Sequence, residues 1–113
     1  MARAERRGFE RIEYAPGLRP AFVVGGHSFE VLDCAERGLR YRPSPQAATL
    51  LPDVGSDVRG AVRFPDGHEV PVDGVVVRAG DDGVAVHFTQ LWIDKRIIER
   101  ERRRLRAQQR HVR

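Results

Sequence analysis

The feature that most constrains this chain is a series of short segments in which apolar and polar residues alternate. Alternation with a period of two is typical of β-strands that bury one face. The predicted strands cover residues 18–24, 28–32, 39–41, 57–64, 69–78 and 84–88. Because closing such a set removes its unpaired edges, the pattern predicts a mainly β fold, a six-stranded antiparallel β-barrel spanning residues 18–90.

Turn residues separate most of these segments. Gly25-Gly26 predicts a two-residue hairpin, and Pro65-Asp66-Gly67 and Asp81-Asp82-Gly83 predict tight turns. In the long segment 69–78 the valines change phase at Gly74, which predicts a β-bulge or bend there. Residues 44–56 show no clear period and predict a long connection, with a helical turn over residues 46–50.

The C-terminal region, residues 91–113, predicts an α-helix that continues into a basic tail. Apolar residues fall near one helical face, and Glu101 interrupts that stripe. They are Ile93, Ile97, Ile98 and Leu105. Trp92 and the three isoleucines predict docking of the first turns onto the barrel. The remainder is a solvated helix, a surface for self-association or another protein, or a nucleic-acid contact, and we favour these in that order.

Composition limits the classes of protein. The 113 residues suit one domain, and the net charge of +4 is concentrated in the C-terminal region, so a uniformly basic nucleic-acid-binding face is disfavoured. No apolar run is long enough for a membrane span, no secretory leader is recognisable, and there is one cysteine, Cys34. We therefore expect a cytoplasmic location.

The sequence offers no sign of an enzyme or a metal centre. It contains no GxSxG, HExxH or P-loop pattern, and its serines lie beside no recognisable base. The four histidines are scattered, so we expect neither a metal site nor a cofactor.

Three arginines stand close together near the N-terminus, with Phe9 between them: Arg6, Arg7 and Arg11. Gly8 and the short length disfavour a helix, so we place the cluster on a flexible arm, residues 1–17. Converging guanidinium groups grip phosphate oxygens and stack on purine rings, which suits a nucleotide. A solvated basic terminus is the alternative.

A second segment, residues 33–38, joins two predicted strands and is predicted to be a turn. Asp33 provides an acceptor that suits the paired N–H donors of a guanine edge. Gly38 permits a positive φ and a close approach of a ligand to the backbone. An aspartate that caps its own turn is the alternative for Asp33.

Together the two segments resemble the PilZ domain family, bacterial receptors for cyclic di-GMP. Arg7 and Arg11 match the family pattern RxxxR, with Arg6 as the preceding arginine. Asp33 and Gly38 match the ends of the pattern D/N-x-S-x-x-G, in which Ala35 replaces the serine. The resemblance extends over nearly the whole chain and implies a PilZ-like split barrel followed by a helix.

The resemblance also implies a function. Cyclic di-GMP would bind at Arg6, Arg7, Arg11, Asp33, Ala35 and Gly38, order the N-terminal arm, and pass a signal to a partner protein whose identity the sequence does not reveal. The alternative is a protein-interaction adaptor of the same fold that does not bind nucleotide, which Ala35 supports.

Overall fold

The computed structural model describes residues 11–43 and 51–111, with side chains as far as residue 108. This part of the chain contains seven strands and one helix. They are β1 (Ile12–Glu13), β2 (Ala21–Val24), β3 (His27–Ala35), β4 (Gly38–Tyr41), β5 (Asp57–Arg63), β6 (Glu69–Gly80), β7 (Gly83–Leu91) and α1 (Lys95–His111). The helical turn predicted over residues 46–50 lies outside the described residues.

Six of the strands close into an antiparallel barrel in the order β3, β2, β5, β6, β7, β4, and β4 pairs again with β3. The predicted fold class is therefore confirmed. The short strand β1 adds to β3, with Ile12 opposite Cys34 and Glu13 opposite Asp33. Paired strands thus begin at residue 12, within the segment that the sequence assigned to the arm.

Inward-facing side chains fill the barrel. Those with almost no exposure include Phe22, Val31, Val62, Val72, Val84 and Phe88. Phe22 and Phe29 both pack against Tyr41, with ring centroids 5.2 and 5.0 Å from the tyrosine ring. This aromatic and β-branched packing is the main favourable contribution to the fold.

Glycines lie at the predicted hairpin turn and at the predicted bulge. Gly25 and Gly26 have φ values of 54° and 84°, which a two-residue hairpin requires. At Gly74 the register with β7 shifts, which confirms the predicted bulge. A Cβ on Gly74 would collide with the backbone of His87, so the glycine allows the two strands to approach.

Helix α1 begins after Asp94, whose side chain accepts a hydrogen bond of 2.8 Å from the backbone N–H of Arg96 and caps the helix. Ile93 and Ile98 are buried in the core, and Leu105 packs against it. The helix therefore covers the barrel through more than its first turns. None of the described helical residues forms a segment long and apolar enough to cross a membrane.

Glu101 was expected to interrupt the apolar stripe of the helix, and this was wrong, because Glu101 is buried in the docking face. Its side chain is 1% exposed, and it accepts a 2.8 Å hydrogen bond from the Tyr14 hydroxyl. Arg104 binds the same carboxylate through Nε and Nη2, at 2.8 and 2.9 Å. A buried carboxylate is tolerated here because its oxygens are satisfied by a cation and a hydroxyl.

Candidate functional site

The site is built on the β3–β4 hairpin. Its turn consists of Glu36 and Arg37 alone, so the predicted six-residue turn was wrong: Asp33 and Ala35 belong to β3, and Gly38 belongs to β4. Asp33 consequently does not cap a turn. It lies opposite Arg40 across the hairpin.

Asp33 is the acidic centre of the site. Its side chain is almost fully buried, and Arg40 Nε donates to Asp33 Oδ2 at 2.9 Å. Arg11 Nε lies 3.6 Å from Asp33 Oδ1. The pairing of β1 with β3 produces this contact, because it brings the residue just before β1 to the end of β3 that carries Asp33.

Arg11 and Asp33 differ in exposure. The Arg11 side chain is 61% exposed and that of Asp33 only 4%. Because Arg11 is mostly solvated and Asp33 keeps its shorter contact with Arg40, Arg11 can exchange its carboxylate contact for another anion without leaving Asp33 unpaired. The structure therefore brings together two of the predicted site residues from segments distant in sequence.

Two more of the predicted residues, Ala35 and Gly38, lie beside Arg11 in the same site. Ala35 lies opposite Gly38 across the hairpin, and both line the same concavity as Arg11. Gly38 does not have a positive φ. Its role is spatial, since a Cβ there would stand 2.7 Å from the Val86 carbonyl oxygen. Arg6 and Arg7 lie outside the described residues.

A cross-strand row extends the site over the outside of the barrel. Asp33 is opposite Arg40, Arg40 is opposite Ala85, and Ala85 is opposite Arg78 on β6. Residues paired in this way stand on the same face of a sheet. A register shift between Val76 and Arg78 precedes the Arg78 pairing. Arg40 and Arg78 therefore flank the small residue Ala85.

These residues enclose an open concavity of about 660 Å³. Its lining consists of Arg11, Ala35, Arg37, Gly38, Leu39, Arg40, Val77, Arg78, Ala85, Val86 and His87. It includes four arginines and no carboxylate, and the nearby Asp33 carboxylate is already paired. Such a surface attracts anions. The small residues Ala35, Gly38 and Ala85 leave room for a flat group between the arginines.

Sequence reasoning did not assign three of these arginines to the site: Arg37, Arg40 and Arg78. A signal for Arg40 was present. A two-residue turn at Glu36 and Arg37 pairs residue 35 with 38, 34 with 39 and 33 with 40, so a shorter predicted turn would have placed Arg40 opposite Asp33. Arg78 carries no comparable signal, since its position depends on a register shift in β6.

Cys34, the residue after Asp33 on β3, lies in the interior of the barrel. Cys34 Sγ lies 3.6 Å from the Tyr14 hydroxyl, and both residues are buried. Burial raises the pKa of the Cys34 thiol from 9.0 to about 12, and burial likewise raises the pKa of Tyr14. Cys34 is thus a structural thiol and not a reactive one.

Comparison with protein families identifies the fold. The family model of the PilZ domain matches residues 5–105. The chain belongs to the PilZ domain family. The matched range includes the arginine cluster, the barrel and most of α1, so the resemblance seen in the sequence is confirmed. No match was found among curated proteins.

The chain is also similar to several solved structures. Bacillus subtilis inhibitor of motility, MotI/DgrA, superposes with a TM-score of 0.60 at 11% identity, covering 76% of this chain and 43% of that one. The chain thus spans less than half of that protein, and the likeness shows the fold alone. An uncharacterized Legionella protein gives a TM-score of 0.49 at 16% identity, covering 91% of this chain and 92% of that one. The PilZ domain of CeSA from a cellulose-synthesizing bacterium gives 0.44 at 20%, covering 85% and 93%.

PilZ domains are generally receptors for cyclic di-GMP and interact with partner proteins. In this PilZ domain the two family motifs meet where Arg11 contacts Asp33, beside a concavity that is rich in arginine. Chemically, the arrangement can bind a planar, anionic ligand by charge, by bidentate hydrogen bonds and by stacking. Among the described residues no group of three His, Cys, Asp or Glu side chains could hold a metal ion.

Proposed function

We propose that this PilZ domain is a cyclic di-GMP receptor that orders its N-terminal arginines on binding and signals to a partner protein. The observation that carries the proposal is the contact between Arg11 and Asp33, 3.6 Å apart at the edge of the arginine-lined concavity. The two residues come from the two family motifs.

The charges of the site suit this ligand. Cyclic di-GMP carries two phosphates and two guanines. Arginines bind phosphate oxygens through their N–H edges and stack on guanine through their faces. Four arginines line the concavity and the Asp33 carboxylate lies beside them, so the site retains a positive excess that attracts the two phosphates.

In this proposal Asp33 and Arg11 change partners when the ligand binds. Arg11 turns from Asp33 to a phosphate, and Asp33 Oδ1 accepts from a guanine edge while Arg40 keeps Oδ2. Arg6 and Arg7 complete the cation cluster as the arm closes over the ligand. Ordering the arm costs part of the contact energy, and the altered surface is the signal to the partner.

A second candidate function is an adaptor of the same fold that does not bind nucleotide. Ala35 favours it, because the methyl group stands where the family pattern has a serine hydroxyl. The absent hydrogen bond corresponds to about 0.5–1.5 kcal/mol, or up to about tenfold in affinity. The retained arginines favour the receptor.

Titration calorimetry with cyclic di-GMP tests the receptor proposal. We expect the wild type to bind, and we expect Arg7→Ala and Arg11→Ala each to weaken binding by about 1.5–3 kcal/mol, because each removes a charged phosphate contact. Arg59→Ala is the matched control, since Arg59 is an exposed arginine on β5 that pairs with Asp73 and does not line the concavity.

GMP serves as the control ligand, since it has a guanine and a phosphate but cannot bridge the site. The receptor proposal fails if the wild type gives no heat with cyclic di-GMP at micromolar protein, and the adaptor is then the better description. Equal losses in Arg11→Ala and Arg59→Ala would place binding elsewhere.

A further inference from the structure

The hairpin turn of the site carries Arg37, which occupies a position that the second family pattern leaves unspecified. The guanidinium Cζ of Arg37 lies 3.9 Å from the centroid of the Trp92 ring, a stacking distance. Trp92 follows β7 and precedes α1, and it remains 41% exposed. A residue of the turn is thus held by a residue that leads into the helix.

Arg37 also has an unsatisfied donor. Its Nε is buried, and no hydrogen-bond partner for it exists among the described residues. A buried N–H without an acceptor costs free energy, and an acceptor that reached it would recover that cost. The described residues therefore leave part of the hydrogen-bonding capacity of this guanidinium unused.

The backbone around Arg37 is fixed on both sides. The Arg37 carbonyl accepts from the Phe88 N–H at 2.8 Å, and the Glu36 carbonyl accepts from the Ile93 N–H at 3.1 Å. With the backbone held and one face of the guanidinium covered by the indole, few conformations remain to be lost on binding.

Stacking covers one face of the guanidinium and Nε is buried, so the terminal Nη1 and Nη2 groups are the donors that a ligand can reach. A guanidinium stacks through its face and donates through its edge, so the Trp92 contact and a phosphate contact are compatible. Arg37 lines the same concavity as Arg11 and Arg40. Unlike those two, it makes no ion pair with a carboxylate among the described residues.

We propose that Arg37 is a phosphate-binding residue of the concavity and that Trp92 is its positioning residue. The proposal rests on the proposed function, because the phosphate is that of the bound cyclic dinucleotide. It adds a contact that would compensate for the hydroxyl missing at Ala35.

The first test compares binding of cyclic di-GMP by wild type, Arg37→Ala, Arg37→Lys and the control Arg59→Ala. We expect Arg37→Ala to weaken binding about ten- to hundredfold, since a hydrogen bond to a charged group is lost. The affinity of Arg37→Lys should lie between those of the wild type and Arg37→Ala, because lysine keeps the charge but not the planar, stacked donor. Thermal unfolding without ligand checks that each variant is folded.

The second test addresses Trp92. We expect Trp92→Phe to keep most of the affinity, since a flat ring remains, and Trp92→Leu to weaken binding severalfold. If Trp92 acts through Arg37, the double variant Arg37→Ala/Trp92→Leu should bind no more weakly than Arg37→Ala alone. Because Trp92 is the single tryptophan, its fluorescence should also change when ligand binds the wild type.

The outcomes separate the two proposals. No binding by the wild type overturns both. Binding by the wild type with Arg37→Ala within about twofold of it overturns the Arg37 assignment and leaves the receptor intact. Losses that add up in the double variant would show that Trp92 does not act through Arg37.

Discussion

Cys34 and Tyr14 are buried side by side, and their protonated forms are the ones the fold accommodates. Burial raises the pKa of the thiol from 9.0 to about 12, and the pKa of the phenol is raised by the same cause. Above pH 9 the unfolded chain releases protons that the folded chain retains, so stability is fully present below pH 9 and is lost as pH rises toward 12. We expect the free energy of unfolding, measured by urea denaturation, to fall on the order of 2–3 kcal/mol by about pH 11 through Cys34.

Two single variants check the source of this pH dependence. Cys34→Ala removes the thiol and should remove the fall in stability between pH 9 and 10, leaving a smaller fall at higher pH that comes from Tyr14. Tyr14→Phe removes the phenol and should flatten the more alkaline part of the curve, while lowering stability at pH 7 by about 1 kcal/mol because Glu101 loses a donor. A wild-type stability that stays level from pH 8 to 11 would contradict the expectation.

Residue patterns show where sequence reasoning succeeded and where it failed. Gly25-Gly26 and Gly74 mark a turn and a bulge correctly, because backbone conformation and close approach are local requirements. Glu101 was read as an interruption of an apolar stripe, since its partners Tyr14 and Arg104 are identified only once the helix docks. The stack of Arg37 on Trp92 likewise depends on tertiary placement and leaves no periodic signal.

Helix α1 is held by polar as well as apolar contacts, and Glu101 offers a direct test of this. Glu101→Ala leaves the Tyr14 hydroxyl and the Arg104 guanidinium without their acceptor. We expect a loss of about 2–4 kcal/mol in unfolding free energy, less than for a fully buried pair because Arg104 is partly exposed and can be solvated.

Glu99→Ala is the matched control on the same helix. Glu99 is exposed, so its removal should change stability by about 0.5 kcal/mol or less. Urea denaturation of the two variants beside the wild type makes the comparison. Similar small effects in both would mean that the Glu101 cluster does not anchor the helix.

The strands were predicted better than the site. Their alternation follows from one buried face, and closure into a barrel follows from their number, so all six predicted strands needed only changes at their ends. At the β3–β4 hairpin the prediction counted Asp33 and Ala35 as turn residues, since outward-facing small and polar residues resemble a turn. The meeting of Arg11 with Asp33 could be expected from the family resemblance, whereas alternation alone does not specify which strands adjoin.

At the scale of the whole molecule, strand β3 connects the site on the outer face of the barrel to the interior contacts that reach helix α1. Asp33 contacts the arginines on the outside of the barrel, and the next residue, Cys34, contacts Tyr14 in the interior, where Tyr14 reaches Glu101 of α1. Site, barrel and helix thus share one continuous set of contacts. A ligand at the outer face should therefore stabilise the whole chain and not a single segment.

Cyclic di-GMP should raise the stability of the domain as one cooperative unit. At a ligand concentration of about 100 times Kd, the free energy of unfolding should rise by about 2.7 kcal/mol. Trp92 fluorescence, which reports next to the site, and far-UV circular dichroism, which reports strands and helix, should show the same transition with and without ligand. Arg11→Ala at the same ligand concentration should show a smaller rise, because its Kd is weaker. A fluorescence transition at lower urea than the dichroism transition would show instead that the hairpin and Trp92 open separately from the barrel.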